Sequence, residues 1–277
     1  MVIPDDVRKC VAFIGLQMAD GSFRLAGSLF FLGKDKEGET SITRMWAVTA
    51  KHVIDDIRKT GVTETFLRMN QKDGQAQWMK APLSSWFRHP SDSSIDVSIL
   101  EMGIPSAMDH LVLPYSLCAT DQKMKDSEVG LGDEVFVTGL FKHHHGTKRN
   151  IPIVRVGNLA CMTEEKITTK YFGEIDAYLI EARSIGGLSG SPVFLNLGSS
   201  RVIGGNMVFG ASGPRFLLLG LVHGHYDVNA SDVDQLLHDG STSGQNDRVN
   251  TGIAIVVPFS KIDSVITSYI EANPAKA

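Results

Sequence analysis

Arg183-Ser184-Ile185-Gly186-Gly187-Leu188-Ser189-Gly190-Ser191-Pro192-Val193-Phe194 is the stretch on which the reading of this chain turns. It sets one serine between glycines, just ahead of an apolar, strand-like run. A serine hydroxyl is a poor nucleophile until a neighbouring base takes its proton, and the oxyanion formed by its attack needs backbone N–H donors presented by a tightly turned loop. Gly187 and Gly190 permit such a turn. Ser189 is therefore the candidate nucleophile, and the N–H groups of Gly187 and Ser189 are the candidate oxyanion donors. An ordinary β-turn with an exposed serine is the alternative, and what separates the two is whether the chain also supplies a base and an acid.

Two further stretches supply them. Trp46-Ala47-Val48-Thr49-Ala50-Lys51-His52 is an apolar strand ending at a histidine, and Ser94-Ile95-Asp96-Val97-Ser98-Ile99-Leu100 sets an aspartate at the head of another. Asp92 is a rival for Asp96, but the apolar strand that follows Asp96 directly holds it more rigidly. His, Asp and Ser come in that order along the chain, spaced so that one small β-barrel carries the base and its acid while a second carries the nucleophile. With these three motifs the chain resembles the trypsin-like (chymotrypsin-fold) serine proteases over nearly its whole length. Gly132-Asp133-Glu134-Val135-Phe136-Val137 and Asn250-Thr251-Gly252-Ile253-Ala254-Ile255-Val256-Val257-Pro258 are similar to the high-temperature-requirement branch. The nucleophile loop is also similar to that of glutamyl endopeptidases. The resemblance implies a serine endopeptidase working through an acyl-enzyme: His52 takes the proton of Ser189 and returns it to the leaving amine, Asp96 orients the imidazole, and no cofactor takes part. The short tail beyond Val257 predicts a protease domain with no appended peptide-binding domain.

Composition narrows the partners. The 277 residues are 43% hydrophobic and 21% charged, enough apolar material for one large or two small domains. A net charge of −4 offers no basic field for nucleic acid or an anionic membrane, so the expected partner is a protein or peptide substrate, with no nucleic acid and no membrane. No run approaches the ~18 apolar residues of a membrane span, and the early acidic residues of the N-terminus are unlike a signal peptide. Cys10, Cys118 and Cys161, odd in number and scattered, read as reduced core thiols. Together these features predict a soluble, cytoplasmic protein.

Short apolar segments with turns between them dominate the chain and argue for an all-β protein. The resemblance makes this two six-stranded antiparallel β-barrels of chymotrypsin type with a short C-terminal helix. Residues 1–118 form the first barrel, with His52 and Asp96, and residues 119–277 the second, with Ser189. A short helix is expected over 53–59, and the polar stretch 113–128 reads as the crossing between barrels. Strands are expected over 202–208, 216–223 and 251–257. Within 258–273, Ile262, Val265, Ile266 and Ile270 share one face, which predicts a terminal helix packed on the second barrel. The Ser/Gly-rich stretch 240–246 reads as a mobile loop.

Departures from the family pattern carry information too. In secreted relatives an aspartate just before the nucleophile pairs with a newly cut N-terminus, and here Leu188 stands in that place. Activation by N-terminal cleavage is therefore not expected, and the loop is either built active or ordered by a partner or substrate. The resemblance puts the floor of the first specificity pocket at Arg183 and Ser184 and its wall at Leu221-Val222-His223-Gly224-His225-Tyr226. Ser184 with His223 resembles the hydroxyl–histidine pair of glutamyl endopeptidases and chymotrypsin-like viral proteases, which implies cleavage after Glu, Gln or Asp, with Arg183, Gly224 and His225 as further contacts. Because strand faces alternate, His223 facing away from the pocket is the competing reading. His143-His144-His145 has no carboxylate or cysteine at ligand spacing and reads as a solvated loop. Asp234, His238 and Asp239 read as a short polar helix, so no metal site is expected. Two other function classes stay open: a catalytically silent member that binds a peptide in the same cleft, and a protease locked until an activating partner binds.

Overall fold

Runs such as Val11-Ala12-Phe13-Ile14 and Leu29-Phe30-Phe31-Leu32 are too short for buried helices and too apolar for exposed loops. In the computed structural model, which describes residues 3–35, 42–169, 172–182, 187–209, 214–229 and 248–274, they lie in strands. The first part holds α1 (Asp6–Lys9), β1 (Val11–Gln17), β2 (Phe23–Asp35), β3 (Ile42–Thr49), α2 (Lys51–Lys59), β4 (Glu64–Asn70), β5 (Ala76–Pro82), β6 (Phe87–Arg88), β7 (Ser98–Glu101) and β8 (Leu113–Pro114). These strands form one eight-stranded sheet in the order β5-β4-β1-β2-β3-β7-β6, with β8 added to β2 in parallel. The expected six-stranded first barrel is thus an eight-stranded sheet.

A short helix, α3 (Asp121–Asp126), lies in the crossing, its first turn capped by the Thr120 hydroxyl accepting the Lys123 N–H. The second part holds β9 (Glu134–Gly139), β10 (Ile153–Cys161), β11 (Ile167–Thr169), β12 (Gly173–Ile175), β13 (Tyr178–Glu181), β14 (Pro192–Asn196), β15 (Ser200–Ile203), β16 (Asn206–Phe209), β17 (Phe216–Asn229) and β18 (Arg248–Pro258). Six of these close into an antiparallel barrel, β10-β13-β18-β17-β14-β9. The expected strand over 202–208 is instead the hairpin β15–β16, turning at Gly204-Gly205. Residues 240–246 lie outside the described residues, as do Asp234, His238 and Asp239.

The last element, α4 (Phe259–Ala272), packs on β17 and β18 of the second barrel, as expected, and extends to the first sheet as well. Phe259, Ile262, Val265 and Ile266 are buried in the same core as Phe13, Trp46 and Ile99 of the first sheet, not in the second barrel alone. Tyr269 meets Phe87 edge-on and its hydroxyl donates to Glu101, while Arg44 donates to the carbonyl of Asn273. The helix bridges the two halves, packing against β17 of the second barrel and against β6 and β7 of the first sheet. Cys10 and Cys118 are buried free thiols and Cys161 is half-buried. Among the described residues no helix is long and apolar enough to cross a membrane.

Candidate active site

The buried strand β3 ends at Thr49, Ala50 is extended, and helix α2 starts at once, so His52 sits in the first helical turn. Asp96 lies in the loop two residues ahead of β7 and is fully buried. Its Oδ1 accepts the backbone N–H of His52 at 2.8 Å, and its Oδ2 accepts the Nδ1–H of the same residue at 2.8 Å. The rival Asp92 is committed elsewhere, capping its own turn by accepting the N–H and hydroxyl of Ser94. Lys51 pins this loop from below. Its ammonium donates to the carbonyl of Ser93 at 2.7 Å and lies 4.5 Å from the centre of the Phe172 ring.

A third side chain enters the cluster. His223, expected in the wall of the specificity pocket, is turned inward: it is 5% exposed and its Nδ1 lies 2.5 Å from Asp96 Oδ2. The reason is local. Pairing between β17 and β18 slips between Val222 and Gly224, so His223 is the extra residue of a bulge and both it and Val222 are buried. One carboxylate oxygen therefore serves two imidazoles, whose rings meet edge-on with centroids 5.4 Å apart. Burial opposes charge on Asp96, but the charge of His52 and the N–H groups of both histidines outweigh it and hold the carboxyl down at about 2. For His52, burial disfavours the charged form. The charge and hydrogen bond of Asp96 overcome this, with help from Asp56 and Asp55, and leave the imidazole above its ordinary value.

His52, Asp96 and His223 are donors of metal-binding type, with ligand atoms within 4.8 Å of one another. Their spacing is that of N–H···O bonds: two ligands of one tetrahedral zinc stand about 3.4 Å apart, well beyond 2.5 and 2.8 Å. The residues do not fit a shared ion.

The loop bearing Ser189 is clamped to the first sheet. Ser28 N–H donates to the carbonyl of Ser189 at 3.0 Å, and the Ser28 hydroxyl donates to the carbonyl of Gly187 at 3.0 Å while accepting the N–H of Leu140 at 2.8 Å. Gly190 N–H donates to Val222 and Ser191 N–H to Leu188. Gly190 has φ +81°, and a Cβ there would stand 2.3 Å from the Ser28 carbonyl and 2.4 Å from the Thr49 hydroxyl, so no other residue fits. Gly187 is likewise left-handed, at φ +110°. Leu188, in place of an ion-pairing aspartate, is buried in the second core, so apolar packing anchors the loop. The N–H groups of Gly187 and Ser189 donate to no described residue. The half-buried Ser189 hydroxyl donates to the main-chain carbonyl of His223 at 3.3 Å.

Of the expected site residues, His52, Asp96 and His223 share one hydrogen-bonded cluster, Ser189 reaches it through the His223 carbonyl, and Gly187 is held by Ser28. Gly224 and His225 follow on β17, opposite Ile255 and Ala254 of β18. Arg183 and Ser184 lie outside the described residues. Sequence reasoning missed Ser28 and Lys51. A serine inside the apolar run 25–32 was the available signal for Ser28, since a buried hydroxyl must find partners.

No protein-family model matches the chain, and no curated protein matches it. Solved structures do resemble it. The HtrA-type protease AlgW with decapeptide superposes with a TM-score of 0.50 at 13% identity, over 96% of this chain and 66% of that one. Deg5 superposes with a TM-score of 0.49 at 14% identity, over 96% and 90%. The active form of the Rv3671c protease from M. tuberculosis does so with 0.49 at 16%, over 94% and 81%. At such identities the likeness is one of fold: the chain has the trypsin-like fold of HtrA-type proteases.

Proposed function

From that fold as premise, we propose that the chain is a serine endopeptidase in which Ser189 is the nucleophile, His52 the general base and then acid, and Asp96 the group that orients His52. The observation that carries this reading is the buried Asp96 carboxylate taking both the Nδ1–H and the backbone N–H of His52. With Nδ1 as donor, the lone pair of the neutral ring is on Nε2, the atom that takes a serine proton in this chemistry. Ser189 Oγ attacks the peptide carbonyl, its proton passes to His52, and the imidazolium is stabilised against ionised Asp96. His52 then protonates the leaving amine, and water repeats the sequence on the acyl-enzyme. The amides of Gly187 and Ser189, which donate to no described residue, support their role as oxyanion donors. His223 acts as a positioning residue: its Nδ1–H fixes Oδ2 of Asp96 and its carbonyl holds the resting serine hydroxyl. Its imidazole is thereby withdrawn from recognition of the substrate side chain, and the proposed substrate is a polypeptide of unassigned side-chain preference.

A fluorophosphonate probe tests this. The native protein should be labelled, and Ser189→Ala and His52→Ala should each abolish labelling while remaining folded by circular dichroism. A folded native protein that stays unlabelled would overturn the reading and turn the search to a peptide-binding role or an activating partner.

A further inference from the structure

A cavity of about 430 Å³ lies beside the nucleophile loop, walled by β2, β4, β5 and the turn after β9. One wall is apolar. The Phe23 and Trp78 rings stack with centroids 4.5 Å apart, and Leu25 lies alongside. The rest is polar and basic: Arg24, Arg68 and Lys142 line it beside His145, and among the described residues no carboxylate does.

Arg68 is the telling residue. It is only 7% exposed, yet its guanidinium donates to neutral groups alone, to Asn150 Oδ1 at 3.0 Å and to the carbonyl of Thr147 at 2.7 Å. Among the described residues neither it, Arg24 nor Lys142 makes an ion pair. Burial disfavours the Arg68 charge, and the groups that bond it are neutral. A buried cation without a counter-charge is costly, and a ligand anion removes that cost. The floor is rigid, since Asn70 and Asn150 exchange side-chain and main-chain hydrogen bonds and Ala76 N–H donates to Lys148.

Two contacts tie the cavity to Ser189. Gly27, two residues past Leu25, is so close to the Ser189 carbonyl that a Cβ would stand 3.0 Å from it, and the Lys142 side chain reaches within 3.1 Å of the corresponding point on Gly187. Ser189 turns its hydroxyl towards β17 and its carbonyl towards β2. The pocket is on the β2 flank, across the nucleophile from the wall at 221–226.

We propose that this pocket binds an acidic, aromatic-flanked segment of the polypeptide substrate on the side of the leaving amine, its carboxylates paired with Arg24, Arg68 and Lys142 and its aromatic ring laid on Phe23 and Trp78. The location relative to the cut rests on the endopeptidase reading; the anion site itself does not. The whole chain's net charge of −4 offers no extended basic surface for a long polyanion such as nucleic acid, so a short acidic peptide that reaches only this local cluster is the occupant that fits.

The test uses the full-length Ser189→Ala protein, which binds without cutting, and fluorescein-labelled decapeptides with a Glu-Phe-Glu-Glu or a Gln-Phe-Gln-Gln centre. The acidic peptide should bind about tenfold more tightly or better, and the difference should collapse in 0.5 M NaCl and in the Arg24→Glu variant, whose side chain is exposed. Arg68→Met should do the same; because it also loosens the turn at 147–150, Arg24→Glu is the deciding variant. Equal binding of the two peptides, no binding, or acidic binding indifferent to Arg24→Glu overturns the proposal. Tighter binding of an oligonucleotide of equal charge overturns the peptide assignment. Probe labelling of the native protein is scored separately: labelling without peptide binding removes the pocket and leaves the protease, and peptide binding without labelling does the reverse.

Discussion

Asp96 receives three N–H groups, two of them on one oxygen, in a site shut off from water. Low dielectric makes those bonds strong and makes losing one costly. The raised value of His52 means that the imidazole is charged, and useless as a base, in weakly acidic solution. The rate of probe labelling should therefore rise with pH through a midpoint above the ordinary 6.5 and then level off. His223→Ala should slow labelling about tenfold or more, and should move that midpoint upward, because Oδ2 then serves His52 alone. His223→Gln, which keeps an N–H donor, should recover part of the rate. An unchanged midpoint in His223→Ala would reduce His223 to a packing residue. Linkage follows the same signs. Asp96, held at about 2 against 3.8, contributes stability above 3.8 that is lost as pH falls through 2. His52 contributes stability below 6.5 that is lost as pH rises through its higher folded value.

Between elements, the decisive contacts join β2 to the loop that bears Ser189. Ser28 is the only described side chain bonded both to Gly187 and to Leu140, so a residue of the first sheet sets the conformation of a loop of the second barrel. Ser28→Ala leaves a buried carbonyl and a buried N–H without partners. It should cost about 1–3 kcal/mol in urea unfolding and slow labelling beyond what that loss of stability explains. If labelling kept its native rate per folded molecule, the clamp would be structural only. The bulge in β17 belongs to the same scale. Alternation along a regular strand would have put His223 opposite Val222, and the slip at Val222/Gly224 buries both.

Across the whole molecule, one core runs from the first sheet through Phe136, Phe194 and Leu221 to α4. Helix α4 thus shares its core with both the first sheet and the second barrel. Calorimetry should show a single cooperative transition, residues 1–118 alone should fail to fold, and Ile266→Ala should cost about 2–5 kcal/mol despite its distance in sequence from that sheet. Two resolved transitions would mean that the halves are independent. The sequence by itself determined the strand-rich class, the glycine-permitted turn around Ser189 and the pairing of His52 with Asp96, because turn chemistry, apolar patterning and the local motifs are written in neighbouring residues. Tertiary structure decided what depends on partners far along the chain: the inward turn of His223, the clamp at Ser28, the eight-stranded form of the first sheet and the reach of α4 onto that sheet. Each of these is a competition among distant surfaces for one buried face or one buried hydrogen bond, and no local pattern records which partner wins.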